Sequence, residues 1–175
     1  MIIVAGITRS GLTATMQMLN AGGFPCVGSY PSFEEYEVGE TPWGECSGKA
    51  VKLVDSQLHI PPDGDYKIIR LHRNQKQQAL SFKKFLCALF GEPVEVDLKA
   101  IAKSFDKDYA IIDKWASRHK TLHISFEEIV TRPVPSATRI ANFVDIPLDV
   151  DKMATCIIKR GPNCHPSLLE FAMSR

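Results

Sequence analysis

Residues 1–13 read MIIVAGITRSGLT, and this stretch decides the fold. The apolar run Ile2–Ala5, rich in β-branched side chains, predicts one buried strand. Gly6 and Gly11 then bracket four residues, and a helix is predicted over Thr13–Ala21. A strand, a glycine loop and a helix start together form an anion site, because glycines let backbone N–H groups converge and the helix dipole adds partial positive charge.

The spacing of this loop is that of the phosphate-binding motif G-x-x-x-x-G-K-[ST], with one departure. Leu12 stands where that motif has its lysine, and Thr13 supplies the hydroxyl. The missing lysine argues against an ordinary ATPase or kinase, since the phosphates would lose their usual cation. The sequence instead places a cation inside the loop, at Arg9.

Length and composition are those of an ordinary globular protein. The 175 residues favour a single domain over residues 1–175, with 45% apolar and 23% charged residues. The net charge of +1 gives no bulk electrostatic reason to expect nucleic-acid binding. No apolar run approaches the roughly 20 residues that cross a bilayer, so we expect no membrane association. The five cysteines form no C-x-x-C pair, which favours reduced thiols in a cytoplasmic protein.

Strand and helix patterns alternate along the rest of the chain. Further strands are predicted at Cys26–Gly28, Val51–Val54, Tyr66–Leu71 and Leu122–Ser125. Helices are predicted over Gln75–Leu89, along an apolar stripe from Leu98 to Ala116, and over Ser136–Val144 and Ser167–Met173. The alternation predicts an α/β three-layer sandwich, with a central parallel sheet that carries the phosphate loop and helices on both faces. Ligands of such sheets bind at the carboxyl ends of the strands.

The stretch Ser29–Gly48 differs from its surroundings. It contains five glutamates and no Lys or Arg, and its prolines and glycines predict an irregular excursion over the sheet. Long loops in compact domains are often lids or binding loops. A solvated acidic loop is the alternative, and the sequence leaves both open.

Further basic residues stand where they could meet the glycine loop. Arg73 follows a predicted strand end, and Ser81 lies eight residues later in the next helix. An arginine fork and a hydroxyl can hold one phosphate through charge-assisted hydrogen bonds. Lys52 lies on a strand that ends at the same edge, and a late basic pair with a glycine occurs at Lys159-Arg160-Gly161. Taken singly, such an arginine is more often part of a surface ion pair, such a lysine is more often solvated, and the late basic pair indicates nothing.

Together and in this order, these pieces resemble the sulfotransferases that use 3′-phosphoadenosine 5′-phosphosulfate (PAPS). Residues 7–13, ITRSGLT, look like the family's P-[RK]-S-G-T-T loop, and residues 73–81, RNQKQQALS, resemble its R-N-P-x-D-x-x-x-S stretch. Lys159-Arg160-Gly161 is similar to its late R-K-G element. Residues 124–147 look like the family segment that packs the sheet. The resemblance covers most of the chain.

The resemblance implies transfer of a sulfuryl group from PAPS, as co-substrate and without a metal, to a hydroxyl or amine of a small molecule or glycan. A 3′-phosphonucleotide has two anionic ends, so two cationic sites are expected. The implied 5′ site is the loop, with Thr8, Arg9, Ser10, Gly11, Leu12 and Thr13. The implied 3′-phosphate site consists of Arg73, Ser81, Lys159, Arg160 and Gly161. Arg9 and Lys52 are the catalytic candidates, since charge spreads over the transferring oxygens in a loose transition state.

The chain also departs from the family pattern. Thr8 replaces the loop proline, Leu12 replaces the first threonine, and Gln75 replaces the proline after R-N. Val54 stands where the cytosolic branch has a histidine base. A carboxylate could deprotonate the acceptor if burial raised its pKa. The candidates for a base are Glu34, Glu35, Asp55 and His59, with no base at all as the remaining alternative.

Two other functions stay open at this stage. One is a nucleotide-binding module of the same fold without catalysis, which the missing histidine and the short chain favour. The other is a kinase or NTPase with a phosphate loop that lacks the usual lysine. The sequence gives neither the acceptor nor the oligomeric state, because specificity in such sites resides in loops.

Overall fold

The computed structural model describes residues 1–34 and 41–165. Within these residues the chain forms four strands, β1 (Ile2–Gly6), β2 (Ala50–Val54), β3 (Lys67–His72) and β4 (Lys120–Ser125). The helices of the same residues are α1 (Leu12–Ala21), α2 (Gln75–Phe90), α3 (Leu98–Ala116), α4 (Phe126–Thr131), α5 (Pro133–Val144) and α6 (Val150–Thr155). A single 3₁₀ turn lies at Trp43–Glu45 in the part of the chain described.

The four strands form one parallel sheet in the order β2-β1-β3-β4. The chain passes from β1 outward to β2, then crosses back to β3 on the other side of β1. The point where the strand order reverses therefore lies between β1 and β3. Ligands of open parallel sheets bind outside the carboxyl ends of the strands at such a reversal. The glycine loop follows β1 and Arg73 follows β3, so both lie at this point.

Alternate side chains of the central strands pack on opposite faces of the sheet, as the period of two in a strand requires. Val4 and Leu71 belong to a core shared with α1, α5 and α6. Ile3 and Ile68 pack instead against Trp115 of α3 on the other face. The prediction of a central parallel sheet with helices on both faces is thus confirmed.

The apolar stripe of α3 faces the core, as its helical spacing predicts. Phe105, Tyr109, Ile112 and Trp115 are buried, and the first turns of the stripe pack partly buried against them. Asp97 caps the helix by accepting hydrogen bonds from two backbone N–H groups of the first turn. The stripe is therefore core, and the helix connects α2 to β4 across one face of the sheet.

The predicted strand at Cys26–Gly28 is wrong. The chain makes a single bridge between Cys26 and Ala50 there, because Pro25 has no N–H to donate and Gly28 turns the backbone with a φ of 79°. The predicted helix at Ser167–Met173 lies outside the described residues.

Two short helices were not predicted from the sequence. The helix α4 begins at a capping box in which the Ser125 hydroxyl accepts from the Glu128 N–H and the Glu128 carboxylate accepts from the Ser125 N–H. Asp149 caps α6 in a similar way. The pattern Ser-x-x-Glu marks a helix start, so α4 could have been found. Across residues 1–34 and 41–165, no helix is both long and apolar enough to cross a membrane.

We expect truncation of a buried side chain of α3 to destabilise the protein, and truncation of its exposed neighbour to have little effect. Ile112 is fully buried, whereas its neighbour Ile111 is 44% exposed. Ile112→Ala should lower the free energy of unfolding by about 2–5 kcal/mol, through lost burial and a residual cavity. Ile111→Ala, the matched control, should change it by about 0.5 kcal/mol or less. Urea denaturation followed by circular dichroism measures both, and equal losses would contradict the packing described.

Candidate functional site

A cavity of about 320 Å³ opens at the carboxyl edge of the sheet, over the glycine loop. It lies where the order of the strands reverses, so its position follows from the topology of the sheet. Its walls come from the loop and α1, from β2, from the segment before residue 35, and from the ends of β3 and β4. The lining residues are Thr8, Arg9, Gly11, Leu12, Thr13, Ala14, Gln17, Pro31, Ser32, Glu34, Lys52, Val54, Arg73, Phe85 and Phe126.

The glycine loop turns sharply before α1. Arg9 adopts a left-handed conformation with a φ of 66°, and Gly11 has a φ of 104°. A Cβ on Gly11 would lie 2.8 Å from the Phe126 ring, so the position needs glycine both for its backbone angle and for space. Gly11 is the N-cap of α1 and provides no capping side chain. The first N–H groups of a helix lack intrahelical partners, and the residues that carry them here, Leu12, Thr13 and Ala14, line the cavity.

Asp55 and Gln78 hold the peptide groups on either side of Thr8. The Thr8 N–H donates to Asp55 Oδ1 at 2.9 Å, and the Thr8 carbonyl accepts from Gln78 Nε2 at 2.8 Å. Asp55 lies just beyond β2 and does not line the cavity. Because the Asp55 carboxylate is bound to the loop, it lies away from an acceptor in the cavity.

Lys52 extends from the middle of β2 into the cavity. Its side chain is 1% exposed, and its ammonium group contacts Thr13 Oγ1 at 3.4 Å and Glu34 Oε1 at 2.6 Å. It also donates to the Ser32 carbonyl. Burial lowers the pKa of Lys52, and the hydrogen bond and charge of Glu34 oppose that shift. A cation is therefore held in a desolvated place, beside the hydroxyl at the start of α1.

Arg73 lies just beyond β3 and is 4% exposed. Its guanidinium donates to the Arg9 carbonyl at 3.0 Å and stacks on the Phe126 ring at 4.0 Å from the ring centre. Ser81 is buried on α2 and accepts a hydrogen bond from Arg9 Nε at 3.3 Å. The structure thus brings the loop arginine, the strand-end arginine and the helix serine together.

In the late basic element Lys159-Arg160-Gly161, Arg160 is the residue that lies beside Arg73. The Arg160 guanidinium lies 5.4 Å from the centre of the Phe126 ring, and its backbone N–H donates to the Val130 carbonyl. Arg73 and Arg160 therefore share one aromatic ring. Lys159 and Gly161 are exposed, and neither lines the cavity.

The remaining loop residues divide between cavity and core. Thr13 lines the cavity and contacts Lys52. Leu12 lines the cavity wall but buries its side chain in the core that α1 shares with the sheet. The Ser10 hydroxyl is buried near Gly6 and finds no hydrogen-bond partner among the described residues. Its side chain does not reach the cavity, so its backbone is the part available to a ligand.

The candidate bases are placed very differently. Glu34 lines the cavity, with its side chain 64% exposed and its carboxylate on Lys52. Asp55 is engaged by the loop, and His59 does not line the cavity. Glu35 lies outside the described residues. Within the described part of the chain, no group of three or more His, Cys, Asp or Glu side chains is placed to hold a metal ion.

Two aromatic residues of the site were not predicted from the sequence. Phe126 lies beneath both Arg73 and Arg160, and Phe85 lies 5.4 Å from the Arg9 guanidinium. Phe126 could have been found, because the capping box places it where β4 ends at the ligand edge. Phe85 stands four residues after Ser81, on the same face of α2.

Comparisons with known proteins bear on the fold. No protein-family model matches the chain, and no curated protein matches it. The structure is similar to the crystal structure of mouse sulfotransferase SULT7A1 complexed with PAP, with a TM-score of 0.57 and 18% sequence identity. The match covers 89% of this chain and 61% of that one, so the chain spans about three-fifths of its neighbour's length. At this identity the likeness shows the fold alone: the chain has a sulfotransferase-like α/β fold.

Proposed function

We propose that this protein binds a 3′-phosphonucleotide in the cavity and transfers a sulfuryl group from PAPS to a hydroxyl or amine acceptor. One observation carries the proposal: the side chains of Arg9, Lys52 and Arg73, from three separate elements, line one cavity at the uncapped start of α1. A cavity with several buried cations and free helix N–H groups suits an anionic ligand. The bound PAP in the similar structure supports this choice of anion.

The 5′ end of the nucleotide would lie on the glycine loop. Backbone N–H groups from Gly11 to Thr13 begin α1, and the helix dipole adds to their attraction for an anion. The Thr13 hydroxyl and the Lys52 ammonium lie 3.4 Å apart, close enough to contact one group of oxygens. Lys52 supplies a charge that Leu12 cannot.

The 3′-phosphate would lie between Arg73, Ser81 and Arg160. Arg73 and Arg160 share the Phe126 ring, and Ser81 is joined to them through Arg9. A planar guanidinium matches phosphate geometry and stacks on aromatic faces, so arginine suits such a position better than lysine. Lys159 and Gly161 complete the proposed element at the surface.

In the proposed reaction an acceptor oxygen or nitrogen attacks sulfur, and the bond from sulfur to the bridging oxygen of the 5′-phosphosulfate breaks. The products are the sulfated acceptor and 3′-phosphoadenosine 5′-phosphate, and the acceptor proton passes to a base. Arg9 and Lys52 would stabilise the charge on the bridging and transferring oxygens. Glu34 is the described carboxylate that lines the cavity, so we assign it the proton. Glu35, its neighbour in sequence, is the alternative base.

Direct binding tests the donor site. We expect 3′-phosphoadenosine 5′-phosphate to bind without magnesium, and Arg73→Ala to weaken it by about 10- to 100-fold, since hydrogen bonds to charged groups contribute about 1.5–3 kcal/mol. Calorimetric titration measures this beside ATP with magnesium. Arg118→Ala, an exposed arginine that does not line the cavity, is the control. Binding of ATP with magnesium alone would overturn the proposal and favour a kinase or NTPase.

The affinity should also depend on pH through Lys52. Burial lowers the pKa of Lys52 below the ordinary value of 10.5, and a bound anion favours its ammonium form. Affinity for 3′-phosphoadenosine 5′-phosphate should therefore hold steady between the second phosphate pKa of the ligand, about 6, and the lowered pKa of Lys52, and fall as the pH rises through the latter. Lys52→Arg stays charged and should flatten this fall. Lys49→Arg, at an exposed lysine next to β2, should leave it unchanged, and an unchanged profile in Lys52→Arg would contradict the assignment.

Glu34→Gln separates catalysis from binding. We expect turnover to fall by about 10²- to 10⁴-fold, the usual contribution of a general base. Affinity for 3′-phosphoadenosine 5′-phosphate should hold or improve, because the carboxylate no longer competes for Lys52. Release of that product from PAPS, over a panel of phenols, amines and glycans, measures turnover.

Two comparisons complete this test. Glu45→Gln, in the 3₁₀ turn and outside the cavity lining, is the control, and Glu35→Gln tests the neighbouring carboxylate. Nucleotide binding with no transfer by the unaltered protein would favour a binding module without catalysis.

A further inference from the structure

The first turns of α2 hold the backbone of the glycine loop as well as a side chain. Gln78 and Ser81 are three residues apart on α2, so they lie on the same face of the helix. Ser81 accepts from the Arg9 side chain, and Gln78 donates to the carbonyl of the preceding residue, Thr8. Both are buried, with Gln78 fully so.

Carbonyl oxygens in an anion-binding loop must be directed away from the ligand, because they would repel it. Two consecutive carbonyls of this loop are occupied by donors from the region where β3 passes into α2. Gln78 Nε2 donates to the Thr8 carbonyl at 2.8 Å, and the Arg73 guanidinium donates to the Arg9 carbonyl at 3.0 Å. The left-handed Arg9 lies between these two contacts. Asp55 accepts the Thr8 N–H, so the Thr8 peptide groups are held at both ends.

The Gln78 side-chain amide can donate to the loop in only one of its two orientations, and its contact with Tyr109 fixes that orientation. The Thr8 carbonyl can only accept, so Nε2 faces the loop and Oε1 faces α3. The Tyr109 hydroxyl donates to that Oε1 at 2.7 Å in a buried contact. Burial raises the pKa of Tyr109 to about 12, so the hydroxyl keeps its proton at neutral pH.

Tyr109 is itself held in place by a buried cation. The Arg70 guanidinium lies 4.3 Å from the centre of the Tyr109 ring, and Arg70 Nε donates to Asp113 at 2.7 Å. Arg70 comes from β3 and Asp113 from α3. The contacts therefore run without a break from the α3 surface to the Thr8 carbonyl.

We propose that Gln78, oriented by Tyr109, is a positioning residue that turns the Thr8 carbonyl away from the cavity and so forms the 5′-phosphate half of the site. This rests on the proposed function, since the ligand is the 3′-phosphonucleotide. Gln78 occupies one of the unspecified positions of the stretch 73–81, and it does not line the cavity. Gln78 contacts the loop at the Thr8 carbonyl, whereas Arg73 and Arg160 of the proposed 3′-phosphate site stack on the Phe126 ring.

The test compares three ligands by calorimetric titration of the full chain: 3′-phosphoadenosine 5′-phosphate, adenosine 5′-phosphate and adenosine 3′-phosphate. Gln78→Met keeps the length and removes the donor, and should weaken the first two by about tenfold while leaving the third unchanged. Tyr109→Phe deletes one hydroxyl and should give a smaller loss with the same selectivity. Leu80→Met, at an exposed position of α2 that does not line the cavity, should change none.

The outcomes separate this inference from the proposed function. A loss confined to the two 5′-phosphate ligands supports the positioning role, which a general loss of folded structure would not produce. Equal losses for all three ligands, or none, would overturn it while leaving the proposed function intact. If Gln78→Met does not fold, the same comparison on Tyr109→Phe decides. Failure of the unaltered protein to bind any of the three overturns the proposed function, and this inference with it.

Discussion

The start of α1 carries the constraint on which the rest of the site depends. Its first N–H groups have no capping side chain, because the N-cap is a glycine whose backbone angle and contact with Phe126 exclude a side chain. Unpaired backbone donors beside a buried region cost free energy unless they meet an acceptor. The residues that carry them line a cavity at the carboxyl edge of the sheet, where the strand order reverses. An anionic ligand would satisfy them.

The buried cations of the cavity also need partners that compensate for the loss of water. Arg73 and Lys52 are almost fully buried, and a buried charge is tolerated when hydrogen bonds and rings surround it. Arg73 has a backbone carbonyl and the face of Phe126, while Lys52 has Thr13, a carbonyl and the Glu34 carboxylate. These contacts keep the guanidinium and the ammonium charged while fixing their positions. A ligand then meets cations that are already oriented, which lowers the entropic cost of binding.

The local patterns of the sequence were enough to predict the sheet, the long helices and most of the cavity wall. The short apolar run before Gly6 fits a buried strand, and the apolar stripe of α3 has the spacing of a helix, so each pattern indicates one kind of element. The strand expected at Cys26–Gly28 failed because Pro25 has no N–H to donate and Gly28 turns the backbone after a single bridge to Ala50. The position of Phe126 follows from the capping box, but its stacking with two arginines could not be predicted from spacing. The same holds for Gln78, because it contacts an element distant in sequence. Asp55 is the clearest case: its position after β2 suggests a base, and its contact with the Thr8 N–H shows a support of the loop.

The glycine loop has Leu12 where the phosphate-loop pattern has a lysine, and the structure places another cation beside it. A lysine at that position reaches back over the loop from the start of the helix, and here the same position instead buries a leucine side chain between α1 and the sheet. The charge comes from Lys52 on the neighbouring strand, whose pairing with β1 places it beside the loop: Val4 is opposite Lys52, two residues before Gly6. The Lys52 side chain begins on a paired strand, and its ammonium group contacts Thr13 at the start of α1, so its position is fixed by both the sheet and the helix. An anion bound at this place would meet a cation that is already oriented, which lowers the entropic cost of binding.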